Sequence, residues 1–392
     1  MDELLSNQQE LLPRRIHFLP EQHPDLHNEG LKLKFVPINR LAKLKDGRQS
    51  TEGEKQGARG RTEENGGIGG EGELRGESYV WSVKGKPKAV LARREEHYPL
   101  LKWKTVTSVG SGLRNVGNTC FLNSSLQCMA YVPVLAQSCL ARRHSSQCEH
   151  RGFCMLCQFE RLVIKMHAKN ARDSFVPKMA GLIRQVSRNF RHGRQEDAHE
   201  FVHFALEHMR RPGGAQLPKK LTDLEIDTCN LGRAFTGMLQ SQVKCMNPKC
   251  GYESNRFESF TDLSLEIGGG AGSSLEKAIA KFCRVEVLDA DNMYKCSKCA
   301  KKTRAHKQFT FLDLPSVLIV HLKRFSGIHS KITKKVAYGN KLSVSRFMSS
   351  HADPALVRKA KDGGAGGAVY HLCGVLVHLG HTQHSGHYIC FV

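Results

Sequence analysis

Two short segments near opposite ends of the chain carry side chains that could act as one chemical unit. The first is Gly112-Leu-Arg-Asn-Val-Gly-Asn-Thr-Cys120-Phe-Leu-Asn-Ser-Ser-Leu-Gln127. Asn118 or Thr119 is placed to cap a helix that begins near Cys120. A thiol in the first helical turn faces the positive end of the dipole, which lowers its pKa and favours the nucleophilic thiolate. Gly117 permits a close backbone approach just upstream. Asn115, on the loop feeding the helix, could donate its amide to an oxyanion forming beside the sulfur. Taken alone, a cysteine near a helix start is more often a small packed hydrophobe. The second segment is His378-Leu-Gly-His381-Thr-Gln-His384-Ser-Gly-His387-Tyr-Ile-Cys-Phe-Val392. His387 opens an apolar strand next to Gly386 and could reach a thiolate across a cleft. Its residues leave two alternatives open: an ordinary histidine-rich surface loop, or a metal site built from the four histidines.

A third constellation consists of cysteines. Cys245-x4-Cys250 and Cys296-x2-Cys299 are two closely spaced pairs separated by a strand-rich stretch. That pattern suits a tetrahedral zinc ribbon, with a structural role because four thiolates leave no open position. The alternative is four free thiols packing a fingertip. Cys148-x5-Cys154-x2-Cys157, with Cys139 and His150 nearby, has looser spacing and reads as core or surface thiols rather than a second metal site. Cys128, Cys229, Cys283, Cys373 and Cys390 show no partner pattern.

The elements that must position these groups follow from periodicity. Leu122, Leu126, Met129 and Ala130 recur at helical spacing, and Pro133 ends the run. Phe159, Leu162, Val163 and Met166 mark a second helix. Ala198, Phe201, Val202, Ala205 and Met209 mark a third. Beyond residue 235 the pattern becomes strand-like, at Phe309–Leu314, Val317–Leu322, Leu372–Leu379 and Tyr388–Val392. Helices precede strands, so the fold class is α+β. Glycine-rich patches at 268–272 and 363–367 read as surface loops.

The chain has 392 residues, enough for two or three structural units and a large buried core. Residues 46–78 hold ten glycines and a dense mixture of charges, with Ala58, Ile68 and Leu74 as the apolar residues. Such a stretch buries too little to offset its ordering entropy, so residues 1–105 are expected to be mostly flexible. Leu31, Leu33, Phe35 and Val36 form a candidate short strand or docking peptide within it. Met1–His23 is polar and lacks a signal peptide's apolar core, and the run Leu314–Leu322 is too short to cross a bilayer. The expectation is a chain neither secreted nor inserted in a membrane, with its cysteines in a reducing compartment. The net charge is +22, of which +19 falls on residues 111–392. That field favours RNA, DNA or acidic protein surfaces, and scattered solubilising lysines are the equal alternative.

Four motifs in one order carry a family likeness. Gly112–Gln127 resembles the Cys box of the ubiquitin-specific proteases, which are papain-like deubiquitinases. Gln195-Glu-Asp-Ala-His-Glu-Phe201 resembles their Gln-x-x-Asp-Ala-x-Glu-Phe motif. Leu322-Lys-Arg-Phe325 resembles their Leu-x-Lys-Arg-Phe strand, and Gly386-His-Tyr388 their His box. Cys154-Met-Leu-Cys157, Gly193–His199 and Lys331-Ile-Thr-Lys334 resemble the scrawny-type nucleolar branch. The resemblance implies thumb (about 111–235), zinc-ribbon fingers (about 236–308) and palm (about 309–392). It implies Cys120 as nucleophile, His387 as general base and Asn115 as oxyanion donor. Gln195, Asp197, Glu200 and Gly386 would meet the substrate tail, where the two carboxylates can pair with the arginines of ubiquitin's C-terminus before its diglycine. The implied partners are ubiquitin and ubiquitinated proteins, beside RNA or acidic nuclear partners and no membrane. The implied location is nuclear, including the nucleolus. One departure stands out: the family's Asp or Asn that orients the histidine follows the His box, and this chain ends at Val392. The palm is therefore expected to be incomplete and its sheet to show a raw edge. The alternatives to a thiol-dependent deubiquitinase are a catalytically impaired ubiquitin-binding fragment and a zinc-ribbon RNA-associated protein.

Overall fold

The stretch around Cys120 forms a helix, α1 (Cys120–Ala130). Leu122, Leu126 and Ala130 are fully buried on it. Its polar residues are buried as well, because they knit the incoming strand to the helix. Asn123 Nδ2 donates to the carbonyls of Leu113 and Arg114, and Gln127 Nε2 donates to that of Ser111. Buried polar groups are tolerated when bonded in this way. Pro133 follows the end of α1 and opens the next helix, α2 (Pro133–Leu140), in the first turn, where its missing N–H costs little. The two other helices read from periodicity are α3 (Met155–Met166) and α4 (Ala198–Arg210). These helices pack on one another around Leu122, Leu126, Phe159, Phe190 and Phe201.

This computed structural model describes residues 110–146, 148, 150–168, 174–210, 232–268, 273–325, 331–352, 368–382 and 385–392, with 15–16, 80–81, 87–88, 100 and 103–104 before them. The flexible region expected over 1–105 therefore lies almost wholly outside the described residues. The linker 46–78, the candidate strand at Leu31–Val36, most of both glycine patches and Cys229 lie outside them too.

The C-terminal half is strand-rich, as its alternation indicated. β1 (Gly237–Cys245) pairs antiparallel with β2 (Glu253–Phe260) on one side. A short strand, β3 (Leu263–Glu266), follows β2. Ser274 then caps a helix the sequence reading missed, α5 (Leu275–Phe282), its hydroxyl accepting from Lys277 N at 3.3 Å. β4 (Glu286–Leu288) and β5 (Ala305–Asp313) complete the sheet in the order β2-β1-β5-β4. β3 pairs in parallel with β6 (Val320–Lys323). A second core of Leu263, Leu265, Ile279 and Phe311 lies between them. Helices first and sheets after make this the expected α+β arrangement.

The chain closes with a hairpin, β7 (Val375–Thr382) and β8 (Ser385–Phe391). The helix α1 packs along β8. The other edge of β8, expected to be raw, pairs at Phe391 and Cys390 with Arg15 and Ile16. Among the described residues no helix is long and apolar enough to cross a membrane.

Candidate active site

Cys120 is the first residue of α1, and 2% of its surface is exposed. The backbone amide of Tyr388 donates to its sulfur. Tyr388 is the residue after His387 on β8, so the Cys120 thiol meets the backbone of the segment that carries His387. The segments of the Cys120 helix and of the last strand thus lie against each other. The expected lowering of the thiol pKa is not found. Burial raises the Cys120 thiol above its ordinary range, and the amides of Tyr388, Phe121 and Cys120 itself pull it only part of the way back. The helix mouth is therefore outweighed by loss of water.

The loop before α1 is ordered by side chains, though not by the cap anticipated. Thr119 is the N-cap residue, yet its hydroxyl makes no capping bond. It donates instead to Asn115 Oδ1 at 3.0 Å and accepts from Val116 N at 3.0 Å. The Asn115 amide is thereby fixed with its NH2 end turned away from that hydroxyl. Asn118 adopts a left-handed φ of 65° after Gly117 at 56°, a conformation Asn tolerates better than most residues. Its Nδ2 donates to Gly193 O at 2.9 Å, which ties this loop to the one before α4.

Gln195 and Gly386, both expected at the substrate tail, are bonded to each other. Gln195 Nε2 donates to Gly386 O at 2.7 Å, and Gly386 N donates to Gln195 Oε1 at 2.8 Å. One side-chain amide thus holds both backbone groups of the residue preceding His387. Gly386 has no room for a side chain, because a Cβ there would press into the His378 ring and the Leu379 carbonyl. Asp197 Oδ1 accepts from His199 N at 2.7 Å and Glu200 N at 3.2 Å, capping α4. Glu200 lies half-buried in the first turn, where burial and then the charges of Asp197 and Glu196 raise its carboxyl pKa. Glu196 Oε1 accepts from the backbone amide of Arg191 at 3.0 Å, and among the described residues no lysine or arginine side chain forms an ion pair with Glu196, Asp197 or Glu200.

Sequence reasoning missed a neighbouring cluster. His199 Nε2 lies 3.1 Å from Asp262 Oδ2, and Ser264 Oγ donates to the same carboxylate at 3.0 Å. The rings of His199 and His321 stack at 3.8 Å. The bond to Asp262 raises the His199 pKa and lowers that of Asp262, while burial and then His199 lower that of His321. His199 and His321 lie inside or beside the motifs already singled out. Asp262 stands far from both in sequence, so no spacing announced the contact.

The fingertip cysteines do converge. The sulfurs of Cys245, Cys250, Cys296 and Cys299 lie within 4.8 Å of one another. Cys250 Sγ and Cys296 Sγ are 3.8 Å apart, which matches the edge of a tetrahedron with Zn–S bonds of about 2.3 Å. The amides of Cys299 and Lys298 donate to the Cys296 sulfur and help hold its thiol at about 7. The residues present fit zinc in number, type and spacing. His378, His381 and His387 form no such grouping among the described residues. Cys139 and His150, linked in the sequence to a second group, stay apart from it: Cys139 is a core residue and His150 is exposed. His144 takes their place beside Cys148, Cys154 and Cys157.

Residues 111–392 match the family described as Ubiquitin carboxyl-terminal hydrolase, and the chain belongs to that family. Over 293 residues it is 40% identical to Ubiquitin carboxyl-terminal hydrolase 23 of Arabidopsis thaliana, covering 74% of this chain and 32% of that protein. It is 38% identical to Ubiquitin carboxyl-terminal hydrolase 42 of Homo sapiens, covering 74% of this chain and 21% of that one. The chain thus spans a third or less of the length of these two relatives. Among solved structures it resembles the SAGA Ubp8/Sgf11/Sus1/Sgf73 DUB module bound to ubiquitin aldehyde, with a TM-score of 0.57 and 26% identity over 73% of this chain and 64% of that one. The papain-like fold expected from the four motifs stands on this likeness.

Proposed function

We propose that the chain is a thiol-dependent deubiquitinase that hydrolyses the isopeptide bond after the terminal glycine of ubiquitin. The observation that carries this reading is the meeting of Cys120 with the His387–Tyr388 segment at the mouth of α1. Because burial favours the neutral thiol, His387 takes the Cys120 proton as sulfur attacks the carbonyl carbon. The C–S bond forms while the carbonyl oxygen gains charge. Asn115, held by Thr119, and a backbone N–H stabilise that oxygen. The leaving amine departs with a proton from His387, and water then releases ubiquitin from the thioester. The carboxylates of Asp197 and Glu200, which form no ion pair with a lysine or arginine side chain among the described residues, would receive the arginines of the ubiquitin tail. Gln195 and Gly386 act one step back, by setting the position of His387.

The fingertip would hold one zinc ion through Cys245, Cys250, Cys296 and Cys299, supplying structure and no reactive position. The excess of +19 on residues 111–392 supports RNA or acidic nuclear partners and a nuclear location. The Cys154-Met-Leu-Cys157 and Lys331–Lys334 segments support the scrawny-type, nucleolar branch.

The test is covalent labelling by a ubiquitin probe with a C-terminal electrophile. The chain should form one adduct, and Cys120→Ala should abolish it while still binding ubiquitin. An adduct that persists in Cys120→Ala removes Cys120 from the role of nucleophile. A chain that retains ubiquitin but forms no adduct favours a binding module.

A further inference from the structure

The connection between α2 and α3 poses a folding problem. Residues 141–154 read Ala-Arg-Arg-His-Ser-Ser-Gln-Cys-Glu-His-Arg-Gly-Phe-Cys, and their described part forms turns rather than helix or strand. Phe153 is the one large apolar side chain available to anchor the segment. Something other than hydrophobic burial must order it.

Two observations show what does. Glu160, 2% exposed on α3, reaches the loop, and its Oε2 accepts from the amides of His144 at 3.3 Å and Ser145 at 3.5 Å. This bond holds His144 so that its Nε2 lies 3.1 Å from Cys154 Sγ. Around that contact, Nε2 of His144 and the sulfurs of Cys148, Cys154 and Cys157 all lie within 4.8 Å of one another. Four donor atoms of zinc-binding type converge on one point, well removed in sequence from the fingertip set.

We propose that His144, Cys148, Cys154 and Cys157 bind a second structural zinc ion, which staples the α2–α3 loop to the start of α3. Zn–N and Zn–S bonds of about 2.0 and 2.3 Å place neighbouring ligand atoms about 3.5–3.8 Å apart. The site needs the His144–Cys154 pair to open by about half an ångström to admit the ion. Cys154 is the N-cap of α3 and Cys157 lies in its first turn, so the Cys-x-x-Cys pair is presented from a helix N-terminus. There the dipole favours the net negative charge of a three-thiolate zinc centre. Arg142, Arg143 and Arg151 in the same loop add positive charge to the segment. The spacing matches the fingertip pair Cys296-x2-Cys299. Because α3 packs on α4, whose N-terminal approach holds Gln195, the staple also braces the helix that leads into the candidate active site.

The experiment is metal counting on the full chain, purified from zinc-supplemented cells without chelator. Metal would be measured on the monomeric fraction from size exclusion. The intact chain should carry two zinc ions. Cys148→Ser with Cys157→Ser should lower the count by one, and Cys250→Ser with Cys299→Ser should lower it by one independently. Should the first pair of substitutions unfold the thumb, cobalt loading of the unsubstituted chain decides instead. Its spectrum should contain a three-thiolate, one-nitrogen centre beside a four-thiolate one. An unchanged metal count in the Cys148/Cys157 variant overturns the proposal, as does a cobalt spectrum with the four-thiolate centre alone. A disulfide among these three cysteines in freshly purified, unreduced protein overturns it too. None of these readouts depends on deubiquitinating activity.

Discussion

Replacing Gln195 tests whether the His387 strand is held in place by a single amide. Gln195→Ala removes two hydrogen bonds, at 2.7 and 2.8 Å, to the backbone of Gly386. Each neutral bond contributes about 1 kcal/mol net, so the loss is about 2 kcal/mol. For a domain of this size that corresponds to a fall in Tm of roughly 3–4 °C. The kinetic effect should exceed the stability effect. A displacement of about 1 Å in a catalytic group costs on the order of 100-fold in rate, and loss of the clamp loosens the start of β8 at Gly386 while the β7 pairing and α1 still hold the strand beyond it. The expected result is a fall of roughly 10- to 100-fold in kcat for a fluorogenic ubiquitin amide, with KM little changed. Gln195→Glu sharpens the test. An ionised carboxylate accepts from Gly386 N but repels Gly386 O, whereas the protonated acid can donate to one and accept from the other, as the amide does. The glutamate variant should therefore be slower than wild type near neutral pH and recover part of the deficit as pH falls towards its carboxyl pKa. Unchanged kcat and Tm in the alanine variant would refute the clamp. So would a glutamate variant whose pH profile merely parallels that of wild type.

Other perturbations follow from the same contacts. Gly386→Ala places a methyl group against His378 and the Leu379 carbonyl; overpacking of this kind costs about 1–3 kcal/mol, and denaturant melts together with ubiquitin-probe labelling should both fall. Asp262→Asn should lose about 1 kcal/mol of stability through the His199 contact, in a pH-dependent way. His199 has a raised folded pKa, so its contribution is complete below the unfolded value of about 6.5 and is lost as pH rises through the folded one. Asp262 has a lowered folded pKa, so its contribution is present above about 3.9 and is lost as pH falls through the folded one. The destabilisation should thus be larger at about pH 5.5 than at about pH 8.5, measured by urea melts at both; an equal loss at the two values would count against a charged pair.

The reach of the sequence was set by how local each cause is. The helix carrying Cys120, the helix Ala198–Arg210 and the strands of the last hairpin follow from apolar periodicity, which the chain displays within ten residues. The meeting of Cys120 with the His387 segment was legible because family-type motifs flank both. What escaped depends on partners distant along the chain. The thiol pKa moved opposite to the helix-dipole expectation because burial, decided by β8 packing on α1, outweighs a local field. Thr119 was read as a side-chain cap, yet its hydroxyl serves the Asn115 loop, a choice the two residues alone could not reveal. The bond of Gln195 to Gly386 spans 191 positions, so no local spacing announced it beside the expected substrate contact. His144 was passed over for His150 because both stand near the cysteines in sequence, and Glu160, sixteen positions from His144, settles which one turns inward.

The same contacts explain why three separate stretches must fold together to build the proposed site. Cys120 is brought to β8 by α1, and α1 is tied to the chain before it by Asn123 and Gln127. His387 is set by Gly386, and Gly386 is set by Gln195 at the threshold of α4. Asn118 joins the first stretch to Gly193 of the third. Each link is one or two hydrogen bonds worth about 1 kcal/mol apiece, yet together they close a ring: Cys box loop to the Gly193 turn, that turn to β8, and β8 back to α1. A ring of modest bonds fixes geometry better than any one of them could, because opening one link leaves the others to limit the displacement. Single substitutions in the ring should therefore slow the reaction far more than they unfold the chain, whereas removing two links at once should cost more than the sum of the two alone.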